Sequence, residues 1–350
     1  MEKSVGKYRL LSIDIIRVAA FALIILYHYF INLGIVGLGP ELPYGNQNMH
    51  IATLGVALFF IVSGFGLMIS ADAKWKGCKS FYKKRFTRIL LPFYIVWFIY
   101  FVIQFFVKKG WPFVDGTPLR NFIYTVLGMD EYMAMLGKST FGLYIGEWFL
   151  GCLVIMYLLF PLLRYLMEKQ KVIFISVITV VWLVLVIWNP FVVVPHMNIY
   201  FKLYEFILGM FLAKVYKKVK KTILIATVPI ILAFLVLPVA IPIPTAILIT
   251  IFSMAVFMTI LSFEPNLPKG GKLEGVLKIC SKYSFELYLV HHVVIYDVTN
   301  WFVGNPFNKK EIIVLFVLEF LIMVILAKVV VRLKEMIEEY LLKLKTYFVK

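Results

Sequence analysis

The sequence predicts an all-α integral membrane protein with about ten transmembrane helices and both termini on the cytoplasmic side. Hydrophobic residues make up 62% of the 350 positions and charged residues only 16%, which is far less charge than the surface of a soluble domain requires. The mean hydropathy is +0.91. The apolar residues fall in runs of about twenty, the length that crosses a bilayer as a helix.

The apolar runs place ten spans along the chain, with boundaries accurate to a few residues. These spans are expected at residues 11–36, 51–71, 88–107, 147–166, 172–189, 200–216, 222–240, 244–263, 279–301 and 312–332. With the N-terminus inside, 28 of the 36 Lys and Arg residues lie in cytoplasmic segments and 6 in extracytoplasmic ones. This asymmetry predicts the orientation of the chain. The first run continues past Phe30, so we expect it to be a retained helix and not a cleaved signal.

Two segments are predicted outside the spans. Residues 108–146 form one long extracytoplasmic loop, in which Thr117-Pro118 predicts a helix start with Thr117 as its cap. The residues that follow, 119–129, are apolar enough to lie against the membrane. Residues 333–350 mix Lys, Glu and Leu at helical spacing, which predicts a cytoplasmic amphipathic tail after a transmembrane domain of residues 1–332.

The net charge of +17 does not indicate nucleic-acid binding, because the basic residues cluster in short stretches between apolar runs, where they would face membrane lipids. The three cysteines, Cys78, Cys152 and Cys280, show no paired spacing. Neither a disulfide framework nor a metal site is expected.

The first helix carries three ionisable residues, and such residues inside a membrane are costly and indicate function. Arg17 and His28 are eleven residues apart, so they share a helical face with an axial separation of about 16 Å. Asp14 lies one turn before Arg17 and is expected to pair with it. One face of the helix therefore carries an anion-binding group near the cytoplasm and an imidazole deep in the membrane; we call this face the stripe. In the alternative interpretation, Asp14 and Arg17 form a salt bridge at the membrane interface and His28 is a hydrogen-bonded packing residue.

A second basic cluster precedes the third span. Arg85 and Arg88 are three residues apart and face the same way on a helix. Two guanidinium groups bind phosphates bidentately, which lysines do not. The alternative is an ordinary cytoplasmic patch that binds lipid headgroups.

Weaker candidates lie in later spans. Glu147 and Glu205 could each orient His28, or each could be an interfacial residue. Tyr288 and His291 lie midway along the ninth span, and Ser63 lies on the second. The hydroxyls of Ser63 and Tyr288 could donate to a developing oxyanion, or could serve packing alone.

Six motifs occur in order along the chain, and together they resemble the acyltransferase-3 family, whose members acylate bacterial surface and extracellular glycans. The motifs are Ser12-Ile13-Asp14-Ile15-Ile16-Arg17 through to His28, the run Gly55 to Phe65, Arg85-Phe86-Thr87-Arg88 followed by Pro92, Trp148-Phe149-Leu150 with Tyr157 and Pro161, Glu205 to Gly209, and Ser284 to His291.

The resemblance implies an enzyme of the bacterial cytoplasmic membrane that moves an acyl group from cytoplasmic acyl-CoA to a hydroxyl of a glycan or related extracytoplasmic acceptor. Acetyl-CoA is the first candidate for the donor, and the acceptor could be linked to a lipid. It implies that Arg85 and Arg88 bind the donor phosphates with help from Arg17, and that His28 lies at the chemistry. His28 as general base and His28 as acyl carrier both remain open. The acceptor, the acyl chain and the oligomeric state are not readable from the sequence.

Two other functions are compatible with the sequence. One is an enzyme of the same build that uses succinyl-CoA or acylates an amine. The other is a polysaccharide or lipid exporter, which should show paired broken helices or a repeat. The nearest feature is the proline-rich turn Pro238 to Pro244, which is predicted in an outer loop.

Overall fold

The computed structural model describes residues 9–39, 51–236, 243–268, 270–304 and 306–348, and within these ranges the chain is helical without a strand. The all-α prediction is therefore confirmed. The helices are α1 (Leu11–Ile35), α2 (Ile51–Lys74), α3 (Cys78–Val107), α4 (Phe122–Val126), α5 (Asp130–Met135), α6 (Glu147–Trp188), α7 (Ile199–Val215), α8 (Leu224–Val236), α9 (Thr245–Ser262), α10 (Lys272–Asn300) and α11 (Lys309–Phe348).

Six of the described helices are long and apolar enough to cross a membrane, namely α1, α2, α3, α6, α9 with its 3-10 extension, and α11. Each of the ten predicted spans is helical over its described residues, apart from a single residue at one or both ends of some spans. The end of the predicted span 222–240 and most of the Pro238 to Pro244 turn lie outside the described residues.

The predicted boundary between the fourth and fifth spans is present inside α6. Gln170 has the non-helical angles φ −144° and ψ 55°, so α6 consists of two helices that meet at this residue. The polar sequence Glu168-Lys169-Gln170-Lys171 separates two apolar runs, and the backbone breaks at that point.

The prediction that Thr117 caps a helix is wrong in its detail. A 3-10 turn, Leu119–Asn121, follows Pro118 and leads into α4. The Thr117 hydroxyl donates instead to the carbonyl of Val114 at 2.8 Å. A helix therefore starts near the predicted place, while the threonine closes the preceding turn.

The C-terminal segment is helical, as expected, but it is not set apart from the last span. α11 runs without interruption from Lys309 to Phe348. Residues 349–350 of the predicted tail lie outside the described part of the chain.

The chain divides into two compact units, and the first comprises Met1–His28, Leu42–Phe81 and Ile155–Lys282. Its central feature is the crossing of α2 and α7 at two glycines. A methyl group at Gly64 would lie 1.9 Å from the carbonyl oxygen of Phe206, and one at Gly209 would lie 2.0 Å from that of Ile61. The two backbones therefore touch, which only glycine permits at these positions.

The second unit comprises Tyr29–Glu41, Tyr82–Val154 and Tyr283–Lys350. Hydrogen bonds between polar side chains link the helices of this unit. The Tyr100 hydroxyl of α3 donates to Asp297 of α10 at 2.9 Å. Thr299 of α10 hydrogen bonds to Glu319 of α11 at 2.8 Å, and both residues are buried. Such bonds between helices offset the cost of burying polar groups.

Candidate active-site residues

The first unit contains the predicted stripe of α1. Because α1 is unbroken from Leu11 to Ile35, the spacing of Arg17 and His28 places both on one face, as the sequence predicted. Glu264 accepts hydrogen bonds from the backbone N–H groups of Leu11 (3.2 Å) and Ser12 (2.7 Å). A carboxylate at this position satisfies the unpaired amides and complements the helix dipole. The helix that carries the stripe is thus anchored at its first turn.

Asp14 pairs with Arg17, as expected, but its stronger partner is Arg9. Arg9 donates two hydrogen bonds to the buried Asp14 carboxylate, at 2.6 and 3.0 Å. Arg17 lies 3.8 Å from the same carboxylate. Its link to Asp14 runs through Ser281, whose hydroxyl accepts from Arg17 at 2.8 Å and donates to Asp14 at 2.6 Å.

This arrangement has a consequence for charge. Two guanidinium groups share one carboxylate, so Arg9, Asp14 and Arg17 together carry one net positive charge. The Arg17 side chain is 27% exposed, and it is oriented by a neutral hydroxyl at hydrogen-bonding distance. The group can therefore attract an anion such as a phosphate.

Ser63 and Glu205 lie on the two helices that cross in the first unit. Ser63 is half-buried on α2, beside Gly64 at the crossing. Glu205 lies on α7, next to Phe206. Its carboxylate forms an ion pair with Lys202 at 2.8 Å, with both side chains 2% exposed. The ion-pair partner that the structure gives Glu205 is therefore a lysine on its own helix, while the two predicted roles, orienting His28 or lying at the interface, stay predictions.

The paired arginines lie in the second unit near the start of α3. α3 begins at Cys78, ten residues before the predicted span, so Arg85 and Arg88 are on continuous helix and share a face. Arg85 is half-buried and Arg88 is exposed. Arg88 is thus accessible to a phosphate.

Glu147 begins α6 and is fully buried. One of its oxygens accepts from the backbone N–H of Leu143 at 2.8 Å, and the other has no hydrogen-bond partner among the described residues. The carboxyl group therefore closes the turn that leads into α6. The side chain is thus enclosed by protein, and both the role of orienting His28 and an interfacial role stay predictions.

Two acidic residues that sequence reasoning missed lie near Glu147. Asp130 accepts from the Thr125 hydroxyl at 3.0 Å and from the amide of Phe141 at 3.1 Å, while Glu131 accepts from the amide of Trp148 at 3.3 Å. Burial, then the charge of Glu147, raises the pKa of Asp130 to about 7 and that of Glu131 to about 8. The adjacent acids in an otherwise apolar stretch were the available sequence signal.

Tyr288 and His291 lie on α10, and both are buried. The Tyr288 hydroxyl donates to the carbonyl of Gly146 at 3.2 Å, and His291 Nδ1 bonds the carbonyl of Tyr288. A methyl group at Gly146 would lie 2.6 Å from the Tyr288 hydroxyl. The structure therefore brings Glu147, Tyr288 and His291 close together in the second unit, around Gly146.

The missed residues differ in how they could have been found. Lys202 is three residues from Glu205, so the pair is visible as a helical i, i+3 spacing. Ser281 has no such signal, because its partners Asp14 and Arg17 are more than 260 residues away in the chain.

Comparison with known proteins supports one assignment. The model of the acyltransferase-3 family, described as an acyltransferase domain, matches residues 10–332. Neither the curated proteins nor the solved structures contain a match to this chain. The family match covers nearly the whole chain, including every motif noted above. The chain therefore belongs to the acyltransferase-3 family, and we conclude that it is a membrane acyltransferase.

Proposed function

We propose that this acyltransferase moves an acyl group, in the first instance acetyl, from acyl-CoA to a hydroxyl group of a glycan or related acceptor. The observation that carries the proposal is the face of α1 on which Arg17 and His28 lie about 16 Å apart. An extended pantetheine arm has a comparable reach, so a donor whose phosphates lie near Arg17 could present its thioester to His28. Arg85 and Arg88 are assigned to the donor phosphates as well, because guanidinium pairs bind them bidentately.

The reaction follows from these roles. His28 removes the proton from the acceptor hydroxyl, and the oxygen bonds to the carbonyl carbon of the thioester. The carbon–sulfur bond breaks, and the proton passes from the imidazolium to the CoA thiolate. In the second route the His28 nitrogen takes the acyl group first, CoA leaves, and the acceptor oxygen then attacks the acyl-imidazole. A mass increase on His28 after donor alone would identify the second route.

The test uses purified protein in detergent, with acetyl-CoA as donor and a mixture of free hexoses and hexosamine oligosaccharides as acceptors. Donor binding and CoA release are measured separately. We expect His28→Ala to abolish CoA release while donor binding persists. We expect Arg85→Ala/Arg88→Ala to weaken donor binding.

Matched controls are available in the chain. Lys83→Ala/Lys84→Ala removes two charges from the same turn of α3, and His196→Ala removes an imidazole from the segment before α7. Both should leave binding and release near the wild-type values. Equal CoA release in wild type and His28→Ala would remove His28 from the mechanism. Stronger binding of succinyl-CoA than acetyl-CoA would change the assigned donor.

For the topology we propose ten spans, both termini in the cytoplasm and a location in the bacterial cytoplasmic membrane. Support comes from the helices at every predicted span and from the 28 to 6 distribution of Lys and Arg. Reporter fusions at each terminus should both show a cytoplasmic signal. A signal on opposite sides would require an odd number of spans.

A further inference from the structure

The segment between α3 and α6 runs back alongside α3 instead of extending away from it. Trp111 contacts Phe101, with ring centroids 5.7 Å apart. Phe113 stacks on Phe101 at 5.7 Å and on Trp97 at 6.0 Å. The first residues after α3 therefore already lie beside its last three turns.

The segment continues further down the same helix. Phe122 of α4 contacts Trp97 at 5.8 Å. Four residues later, the carbonyl of Val126 accepts a hydrogen bond from the Tyr94 hydroxyl. Tyr94 lies thirteen residues before Val107, the end of α3, which corresponds to about 20 Å along the helix axis. The chain returns at a similar level, because the indole of Trp97 donates to the carbonyl of Phe141 at 3.0 Å.

This level can be compared with the thickness of a membrane. The twenty residues from Arg88 to Lys108 span about 30 Å of helix, which matches the hydrocarbon core of a bilayer. The outward side chains of this stretch are apolar, with Phe98 61% and Phe106 73% exposed, so they belong in lipid. A point about 20 Å below the Val107 end is therefore past the midplane of the core.

α10 gives an independent measure of depth. The Tyr288 hydroxyl donates to the carbonyl of Gly146 at 3.2 Å, and Tyr288 lies near the middle of α10, which runs from Lys272 to Asn300. The ring of Phe149 packs on Tyr288 at 4.8 Å. The end of the segment and the start of α6 thus lie halfway along another long helix.

Several apolar side chains of the segment are exposed, with Leu119 81%, Ile123 50% and Leu127 42% exposed. The charged side chains of Asp115, Arg120 and Lys138 are exposed as well. Two polar contacts close the segment on itself: Asn121 donates to the carbonyl of Ser139 at 2.8 Å, and Asp130 accepts from the amide of Phe141 at 3.1 Å. Irregular backbone at membrane depth is tolerated only when its polar groups are satisfied within the protein.

We propose that residues 111–146 form a membrane-embedded segment, which enters the bilayer from the side where α3 ends, lies against the outer part of α3, joins α6 at that depth, and contacts the acyl chains of the lipids through Leu119, Ile123 and Leu127. The lipid-facing surface of α3 continues into this apolar face. This inference does not depend on the donor, the acceptor or the role of His28.

The test is single-cysteine labelling in lipid nanodiscs, where a reagent reaches both faces of the bilayer. Cys78, Cys152 and Cys280 are replaced by serine or alanine, and Ile123→Cys, Leu127→Cys and the control Lys109→Cys, just beyond the end of α3, are introduced one at a time. A membrane-impermeant maleimide should label Lys109→Cys rapidly and the other two at least tenfold more slowly. A bimane group at residue 123 should be quenched by lipids brominated on their acyl chains, and one at residue 109 should not.

A second measurement uses the wild-type protein and therefore does not depend on whether a variant folds. A lipid-soluble diazirine probe in the nanodisc should label the peptide containing residues 119–127 as strongly as the outer part of α3. Labelling of that peptide only by a water-soluble diazirine would overturn the proposal, as would equal maleimide rates at residues 109, 123 and 127.

Discussion

The hydroxyl of Ser281 on α10 accepts a hydrogen bond from the guanidinium of Arg17 on α1 at 2.8 Å and donates one to the carboxylate of Asp14 at 2.6 Å. Ser281 therefore orients Arg17 without neutralising it. Asp14 is held by Arg9 in a bidentate pair, so the cluster keeps a positive charge. In the proposed donor site, this relationship would hold the Arg17 guanidinium in place to receive a phosphate group.

Ser281→Ala should weaken donor binding by removing the group that orients Arg17. A hydrogen bond to a charged side chain contributes about 1.5–3 kcal/mol, or roughly 10- to 150-fold in the Kd for acetyl-CoA. Ser281→Thr keeps the hydroxyl and should bind nearly as wild type. Ser253→Ala is a matched control, since the buried Ser253 hydroxyl has no hydrogen-bond partner among the described residues. Unchanged affinity in Ser281→Ala would exclude the orienting role.

Gly64→Ala should destabilise the protein strongly, because its methyl group would lie 1.9 Å from the carbonyl oxygen of Phe206. The helices α2 and α7 would have to separate, and overpacking of this kind costs about 1–3 kcal/mol or more. Gly66→Ala is the control on the same helix, since a methyl group there meets no atom within 4 Å. Thermal unfolding in detergent should show a lower Tm for Gly64→Ala alone. Similar Tm values for both variants would contradict a backbone contact at the crossing.

Lys202→Met should unfold or greatly weaken the first unit, because it leaves the buried carboxylate of Glu205 without its cation. Breaking a buried pair on one side costs about 3–5 kcal/mol. The double variant Lys202→Met/Glu205→Gln should recover much of the folded yield. Lys278→Met is the control, as its partner Glu274 forms an exposed pair, which contributes little.

The same double variant separates a structural from a catalytic Glu205. If it folds and still releases CoA from acetyl-CoA at a wild-type rate, Glu205 serves only as the partner of Lys202. Folded protein without CoA release would support the catalytic role predicted from the sequence.

The stability of the segment around Asp130 and Glu131 should fall as the pH rises. Burial raises their pKa values to about 7 and about 8, above those of the unfolded chain, so the folded state binds more protons. The stabilisation is present below the unfolded pKa values near 4 and is lost as the pH rises through the folded values. Thermal unfolding should therefore show a declining Tm between pH 5 and 8.5.

Asp130→Asn/Glu131→Gln should flatten that pH dependence, because both amides keep the carbonyl acceptors and carry no charge. Asp115→Asn, at an exposed position in the same segment, should leave the slope unchanged. A slope that is the same in the double variant and in wild type would assign the pH dependence to other groups.

Much of the helical architecture follows from the sequence, since an apolar run in lipid must form a helix to satisfy its backbone. The predicted span 200–216 compares with α7 at Ile199–Val215, and 244–263 with α9 at Thr245–Ser262. The break at Gln170 was predicted from a short polar interruption. The hydrogen bond of the Thr117 side chain was not predicted correctly, because a side-chain hydroxyl in a loop has several backbone acceptors of similar energy.

The sequence by itself determined the membrane class, the helices, the family motifs and the stripe of Arg17 and His28, because each depends on residues close together in the chain and on the helical period. Only the tertiary structure decided that Ser281 bridges Arg17 to Asp14, that Glu147 lies close to Asp130 and Glu131, and that the α3–α6 segment runs back along α3. These contacts join residues on different elements, and their geometry depends on helix packing, which local periodicity does not encode.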